Sequence, residues 1–145
     1  RSYVYLENPY LYDNTVVSAL AEARRRGVDV RVVLPNRSDR TAGNSSNYVT
    51  ANYLIRNGVR VFLYPGMTHV KAILVDGWAC LGSANFNKLS LRTNHETNIA
   101  SSAPELTVPL RRRLFDVDFA KSQELTQPFD VGWTDNVAAA ILSQF

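Results

Sequence analysis

Residues 69–85 read HVKAILVDGWACLGSAN, and the fold turns on how this stretch is taken. Ile73, Leu74 and Val75 are what a buried strand needs, yet His69, Lys71 and Asp76 flank them and Gly82-Ser83-Ala84-Asn85 follows. Two strand-like runs, HVKAILVD and WACLGS, meet at Asp76-Gly77, a dipeptide suited to a very short hairpin turn. Residues two apart on a strand share a face, so His69 and Lys71 point the same way, together with Ile73 and Val75. An imidazole and an ammonium then stand side by side at one end of an apolar run. Ser83 and Asn85 obey the same rule if the second strand runs through them, as do Asn94, Glu96 and Asn98 in the next run, HETNIASS. Asp76 is seven residues from His69, an odd offset that places it on the opposite face or in the turn. A structural role is expected for it.

Outward from this hairpin the chain alternates. Tyr3–Tyr12 is aromatic-rich and strand-like from its first residues, so the sequence opens inside a fold and reads as a piece of a longer polypeptide. Asp13 is placed to cap a helix with Val16, Val17, Leu20 and Ala23 on one face and Arg24, Arg25 and Arg26 before Gly27. The three arginines suit the negative end of the helix dipole and read as a solvated helix end. VDVRVVLP is a buried strand stopped by Pro35, NRSDRTAGNSS a polar loop, SNYVTANYLIRN a helix stopped by Gly58, and VRVFLYP a further strand. This β-α-β-α-β spacing predicts an α/β sheet with both faces covered. From Pro104 the pattern is helical through APELTVPLRRRLFDVDFAKSQEL, breaks over Gln127–Gly132, and resumes in WTDNVAAAILSQF. Val137, Ala138, Ile141 and Leu142 form a stripe expected to be the packing face of that last helix.

Composition bounds the function classes. A chain of 145 residues, 46% hydrophobic, supports one compact domain with a real core. A net charge of +3 leans toward anionic partners such as phosphate, nucleic acid or lipid headgroups. Cys80 is the one cysteine, which excludes an internal disulfide framework and a zinc knuckle. No apolar stretch approaches the roughly 20 residues that cross a bilayer, so membrane contact by this segment is expected to be peripheral.

A phosphodiester fits the polar set. Attack at phosphorus spreads charge over the equatorial oxygens, and lysine, asparagine and serine all donate to such oxygens. Neutral imidazole can attack phosphorus itself and form a phosphohistidine, splitting one displacement into two easier ones. A carboxylate accepting the other ring N–H would fix the tautomer, and Glu96 is the candidate. Two-metal phosphodiester chemistry needs several convergent acids or histidines, and the chain has two histidines and scattered acids, so no metal and no cofactor is expected. His95, of opposite parity to Glu96, reads as a surface or packing residue.

Alone, the spacing H-x-K-x-x-x-x-D is a weak signal; the Gly-Ser-x-Asn and Asn-x-Glu that follow make it specific. Here the chain resembles the phospholipase D superfamily, through His69, Lys71, Asp76, Gly82, Ser83, Asn85 and Glu96. ENPYLYDNTVVSALAEARRRGVDVRVVLP is similar to the segment before the second motif in cardiolipin synthase-like and other bacterial members, and NKLSLRTNHETNIA and FDVDFAKSQELT resemble their C-terminal region. Five residues separate Asp76 from Gly82 where members commonly have six, implying a tighter hairpin or an altered register. Asn87-Lys88 stands where cardiolipin synthase-like sequences often have Asp-Pro.

The resemblance implies a mixed, mostly parallel sheet with helices on both faces, an α-β-α sandwich. It also implies an active site built from two lobes, each contributing one motif. Residues 1–145 then form a single lobe with a C-terminal helical part over 104–145. The second lobe comes either from a missing N-terminal half of the same protein or from a homodimer. In that frame His69 is nucleophile or general acid, Lys71, Ser83 and Asn85 hold the phosphate, Glu96 orients His69, and Asp76, Gly82 and Asn94 support them. The expected substrate is a phospholipid, turned over by hydrolysis or transphosphatidylation in a bacterial, membrane-associated protein. An endonuclease of the same chemistry is the alternative, disfavoured by the lack of a long basic stripe with interleaved aromatics. A non-catalytic lobe for assembly or lipid binding is the third reading.

Overall fold

A computed structural model describes residues 2–37 and 41–142, with the side chains of 41–43 and 142 outside the described set. Seven strands form one sheet in the order β6-β5-β4-β1-β2-β3-β7. Chain order gives β1 Tyr3–Glu7, α1 Asn14–Arg25, β2 Asp29–Pro35, α2 Thr41–Arg56, β3 Arg60–Tyr64, β4 Ala72–Val75 and β5 Trp78–Gly82. After a π-helical turn at Leu89–Thr93 come β6 Asn98–Ser101, α3 Pro104–Leu110, α4 Asp116–Lys121, β7 Gln123–Glu124 and α5 Trp133–Leu142. A second π-helical turn, Arg111–Phe115, joins α3 to α4 just after Pro109, which lacks the amide a regular turn would use.

The sheet is mixed, and helices cover both faces as expected. Its parallel part is smaller than expected: β1 and β3 flank β2 in parallel, whereas the β1-β4, β4-β5, β5-β6 and β3-β7 pairings are antiparallel. The reason lies in the connections. A parallel return needs a crossover long enough for a helix, and Asp76-Gly77 is a two-residue turn.

Alternation in β1 divides the core. Val4 and Leu6 join Val30, Val32, Leu34 and Val61 under Val17 and Leu20 of α1 and Leu54 of α2. Tyr5 faces the other way and packs with Ala72, Leu74, Ala79 and Phe115, backed by Phe119 of α4 at 5.1 Å between ring centroids. Helices α1, α2 and α4 therefore answer apolar stripes of the sheet. Asp13 caps α1 as predicted, accepting from the amides of Thr15 at 2.9 Å and Val16 at 3.1 Å.

Four details differ from the sequence reading. Helix α2 begins at Thr41, so the second half of the expected polar loop is helical, while residues 38–40 lie outside the described ones. The helix expected to reach Leu125 stops at Lys121, and Gln123–Glu124 pairs with β3, pinned by a two-pronged Arg60–Glu124 ion pair at 2.7 Å per arm. Strand β5 ends at Gly82 and β4 begins at Ala72, leaving Ser83, Asn85, His69 and Lys71 in the adjoining loops. On α5, which packs on α2, Val137 and Ile141 are 45% and 55% exposed, while Ala138 of the expected stripe and its neighbour Ala139 are half-buried. Leu142's side chain is outside the described set.

Two positions carry separable stability predictions. A Cβ at Gly82 would lie 2.2 Å from the Thr97 carbonyl oxygen and 2.7 Å from Asn98 Cα, both backbone atoms. Gly82→Ala should spread the β5-β6 pairing and cost about 1–3 kcal/mol in urea unfolding. Asp13→Ala, which removes only a cap, should cost about 1 kcal/mol. A Gly82→Ala protein with wild-type stability would contradict the close approach.

Candidate active site

The topology gathers the polar residues before any side chain is considered. The C-terminal end of β1, the start of β4, the end of β5 and the start of β6 share one edge of the sheet, because Glu7 pairs with Ala72, Ala72 with Leu81, and Gly82 with Asn98. The loops bearing His69 and Lys71, Ser83 and Asn85, and Asn94 and Glu96 all open at that edge. The hairpin resolves the five-residue spacing from Asp76 to Gly82. Val75 faces Trp78 across the turn, Asp76 takes a left-handed φ of 52°, and the register stays regular to Gly82. Gly82 donates its amide to Lys71 O at 3.1 Å, and Ser83 donates to Thr97 O at 3.0 Å.

Two side-chain pairs result. Lys71 Nζ lies 3.2 Å from His69 Nδ1 and 3.3 Å from Nε2, and is steadied by a bond to His69 O at 3.0 Å. An ammonium only donates, so whichever ring nitrogen it bonds is the unprotonated one. His69 is exposed and Lys71 half-buried, which leaves the imidazole reachable. In the second pair Ser83 Oγ donates to Glu96 Oε2 at 2.5 Å and accepts from Thr97 N at 3.0 Å.

Glu96 thus sits in the predicted cluster with a different partner. Its carboxylate takes the Ser83 hydroxyl, and among the described residues no hydrogen bond joins it to His69. The hydrogen bond from Ser83 is the first cause holding its pKa below the ordinary carboxylate range, followed by Ser90, Asn94 and the charge of Lys71. An ionised Glu96 beside Lys71 balances the cation, and a ligand phosphate would compete with it for the same donors.

Asn85 is half-buried in the loop after β5, with its Oδ1 buried and no hydrogen-bonding partner among the described residues. Its neighbour Phe86 is tied down from both sides: its amide donates to Asn8 Oδ1 at 3.3 Å, and its carbonyl accepts from the amides of Tyr12 and Asp13. Asn94 supports Glu96, while its own amide closes the π-helical turn on Leu89 O at 2.7 Å. Asp76 stands at the far end of β4 and accepts from the amides of Ser2 at 2.8 Å and Tyr3 at 3.0 Å, remote from the other six motif residues. Among the described residues no three His, Cys, Asp or Glu side chains converge at metal-binding spacing.

Three supporting residues escaped the sequence reading: Glu7, Asn8 and Thr68. All three are buried, and Thr68 Oγ1 donates to Glu7 Oε1. The available signal was Glu-Asn-Pro closing an otherwise apolar, aromatic strand, since a buried strand seldom ends in two polar residues without employing them.

The family model described as "Cardiolipin synthase, PLD-like domain" matches residues 1–116. Cardiolipin synthase A of Pseudomonas fluorescens strain SBW25 is 38% identical over 127 residues, which is 86% of this chain and 26% of that protein. The Pseudomonas aeruginosa PAO1 protein of the same name is 38% identical over 126 residues, 85% of this chain and 26% of its own length. The chain therefore spans about a quarter of the curated relatives it matches. Among solved structures, Nuc, a phospholipase D family member from Salmonella typhimurium, superposes with a TM-score of 0.74 at 21% identity, covering 86% of this chain and 82% of that one. Phosphatidylserine synthase from Haemophilus influenzae superposes with a TM-score of 0.65 at 15% identity, covering 100% of this chain and 39% of its own. These two likenesses carry the fold. With the family model spanning residues 1–116, sheet edge and site loops included, the chain belongs to the cardiolipin synthase, phospholipase D-like domain family.

Proposed function

We propose that this chain is one catalytic lobe, the C-terminal one, of a bacterial enzyme that transfers phosphatidyl groups between alcohols in the manner of cardiolipin synthase. The observation that carries the reading is the Lys71 ammonium 3.2 Å from the His69 ring. A phosphoryl group set against that imidazole lies within hydrogen-bonding range of the ammonium. As nucleophile, a His69 nitrogen bonds to phosphorus while the phosphorus–oxygen bond to the leaving alcohol breaks. The departing oxygen takes its proton from an acid on a second lobe. In the second step an acceptor hydroxyl attacks phosphorus, the nitrogen–phosphorus bond breaks, and the acceptor's proton returns to that acid. With water as acceptor the same intermediate gives hydrolysis. Lys71, Ser83 and Asn85 meet the charge that builds on the phosphoryl oxygens.

A second lobe, from another part of the protein or a second copy, supplies the other half of the site. Edge strand β6 with Ile99 64% exposed, and Trp78 exposed on β5, support a partner surface there. Among the described residues no helix is long and apolar enough to cross a membrane, and the proposed lipid contact of this lobe is peripheral. The preference for lipid over nucleic acid rests on 38% identity to cardiolipin synthase A. An endonuclease is the second reading, favoured only by the fold shared with Nuc, and it predicts cleavage of DNA or RNA with steep salt dependence.

His69→Ala in the intact protein should lower turnover of labelled phosphatidylglycerol on the order of 10^3-fold and abolish trapping of a phosphoenzyme. Retention of both would remove His69 from the chemistry. Lys71→Met should cost about 10^2-fold or more in kcat, since it deletes a donor to the transition state. Ser83→Ala removes the first cause of the lowered Glu96 pKa, so the carboxyl should titrate at higher pH than in the wild type when followed by 13C NMR. An unmoved titration would show that Ser83 does not hold Glu96.

A further inference from the structure

Glu7 closes β1 with a side chain that is 0% exposed, an uncommon place for a carboxyl. One oxygen, Oε1, accepts the hydroxyl of Thr68. Thr68 Oγ1 in turn accepts from Val70 N at 3.4 Å, so a single hydroxyl brackets His69 from both sides and ends on Glu7. The other oxygen, Oε2, has no donor among the described residues. Asp118 of α4, itself 7% exposed, is the acid whose charge adds to the cost of ionising Glu7.

We propose that Glu7 is a positioning residue for His69: buried at the end of β1 and bonded to Thr68, it anchors that hydroxyl and thereby fixes the turn that presents the imidazole. The inference rests on the reading of His69 as the residue that bonds phosphorus. Asn8 complements the device at the next position, since its Oδ1 accepts from Tyr10 N at 3.0 Å and Phe86 N at 3.3 Å and so fixes the loop beyond Asn85. The end of β1 thus holds both halves of the motif.

The surroundings explain the proton's affinity. Glu7 is flanked by Val33 on β2 and Ala72 on β4, neither of which titrates. Thr68 comes from the β3-β4 connection, and Asp118 from α4 is the one charged group acting on Glu7 among the described residues. On the same sheet face Arg31 lies over the Tyr5 and Phe119 rings and is paired with Asp29 at 2.9 Å, leaving no cation opposite the two acids from β2. Burial, more than the partly offsetting bond from Thr68 and the charge of Asp118, pushes the Glu7 pKa up to about 7. The folded chain therefore holds this proton to higher pH than the unfolded chain, and stability falls as pH rises from the ordinary carboxylate range through about 7.

The test compares three variants of the intact protein. Glu7→Leu removes the anchor. Thr68→Val removes only the hydroxyl and keeps the shape. Glu7→Gln keeps an acceptor for Thr68 and removes the titrating carboxyl. Glu7→Leu and Thr68→Val should lower kcat roughly tenfold with KM within about twofold. Glu7→Gln should rescue kcat and flatten the fall in kcat between about pH 6 and 8. It should also abolish the decline in Tm between the ordinary carboxylate range and about pH 7. A Thr68→Val enzyme with wild-type kcat, or a Glu7→Gln enzyme with the wild-type pH profile and Tm decline, overturns the inference while leaving His69 in place. Failure of the wild type to form any phosphoenzyme would instead sink the underlying reading, and the Tm comparison would still decide whether buried Glu7 holds its proton.

Discussion

The bond from the Gly82 amide to the Lys71 carbonyl, 3.1 Å long, fixes where every other group at the site can be. It closes the β4-β5 ladder one step beyond the last paired residues and so sets Ser83 beside Lys71. On its other side Gly82 meets β6 so closely that no side chain could be accommodated there, which brings Glu96 and Thr97 against Ser83. One glycine therefore joins three loops separated by up to 27 residues along the chain. The cationic pair, His69 with Lys71, and the anionic pair, Ser83 with Glu96, are neighbours because the backbone leaves them no alternative.

This arrangement gives the site an electrostatic balance of its own. Glu96 is kept ionised by hydrogen bonds from Ser83 and its neighbours, and its charge lies near Lys71. A phosphodiester that enters brings another negative charge to the same ammonium, so binding and the internal pair compete. The buried Glu7 one layer behind acts in the opposite sense. Burial there stabilises the protonated acid, and the stability lost at higher pH is set against the rigidity that Glu7 lends to the His69 turn.

Much of this was legible from residue order. Asp13 announces the start of α1, and Pro35 and Gly58 mark ends that the structure respects within a residue or two, while His69 and Lys71 come together in the loop before β4 and not on the strand expected for them. The resemblance to phospholipase D-like proteins brought Ser83, Asn85 and Glu96 into one region. What stayed hidden follows from long-range geometry. Nothing local tells Ser83 to reach Glu96 before His69 does, because that choice depends on how tightly β6 approaches Gly82. Gln123–Glu124 sits in a helical pattern and becomes a strand only because Arg60 and the open edge of β3 are waiting for it. The apolar stripe on α5 was only partly informative, since α5 packs on α2 with Ala138 half-buried while Val137 and Ile141 stay exposed.

The most direct measurement is a crystal structure of the intact protein soaked with orthovanadate, a mimic of the phosphoryl group in transit. The account predicts vanadium within bonding distance of a His69 ring nitrogen, with Lys71 Nζ and Ser83 Oγ donating to its oxygens. Vanadate bound away from His69, or held with the Lys71 and Ser83 side chains directed elsewhere, would contradict it.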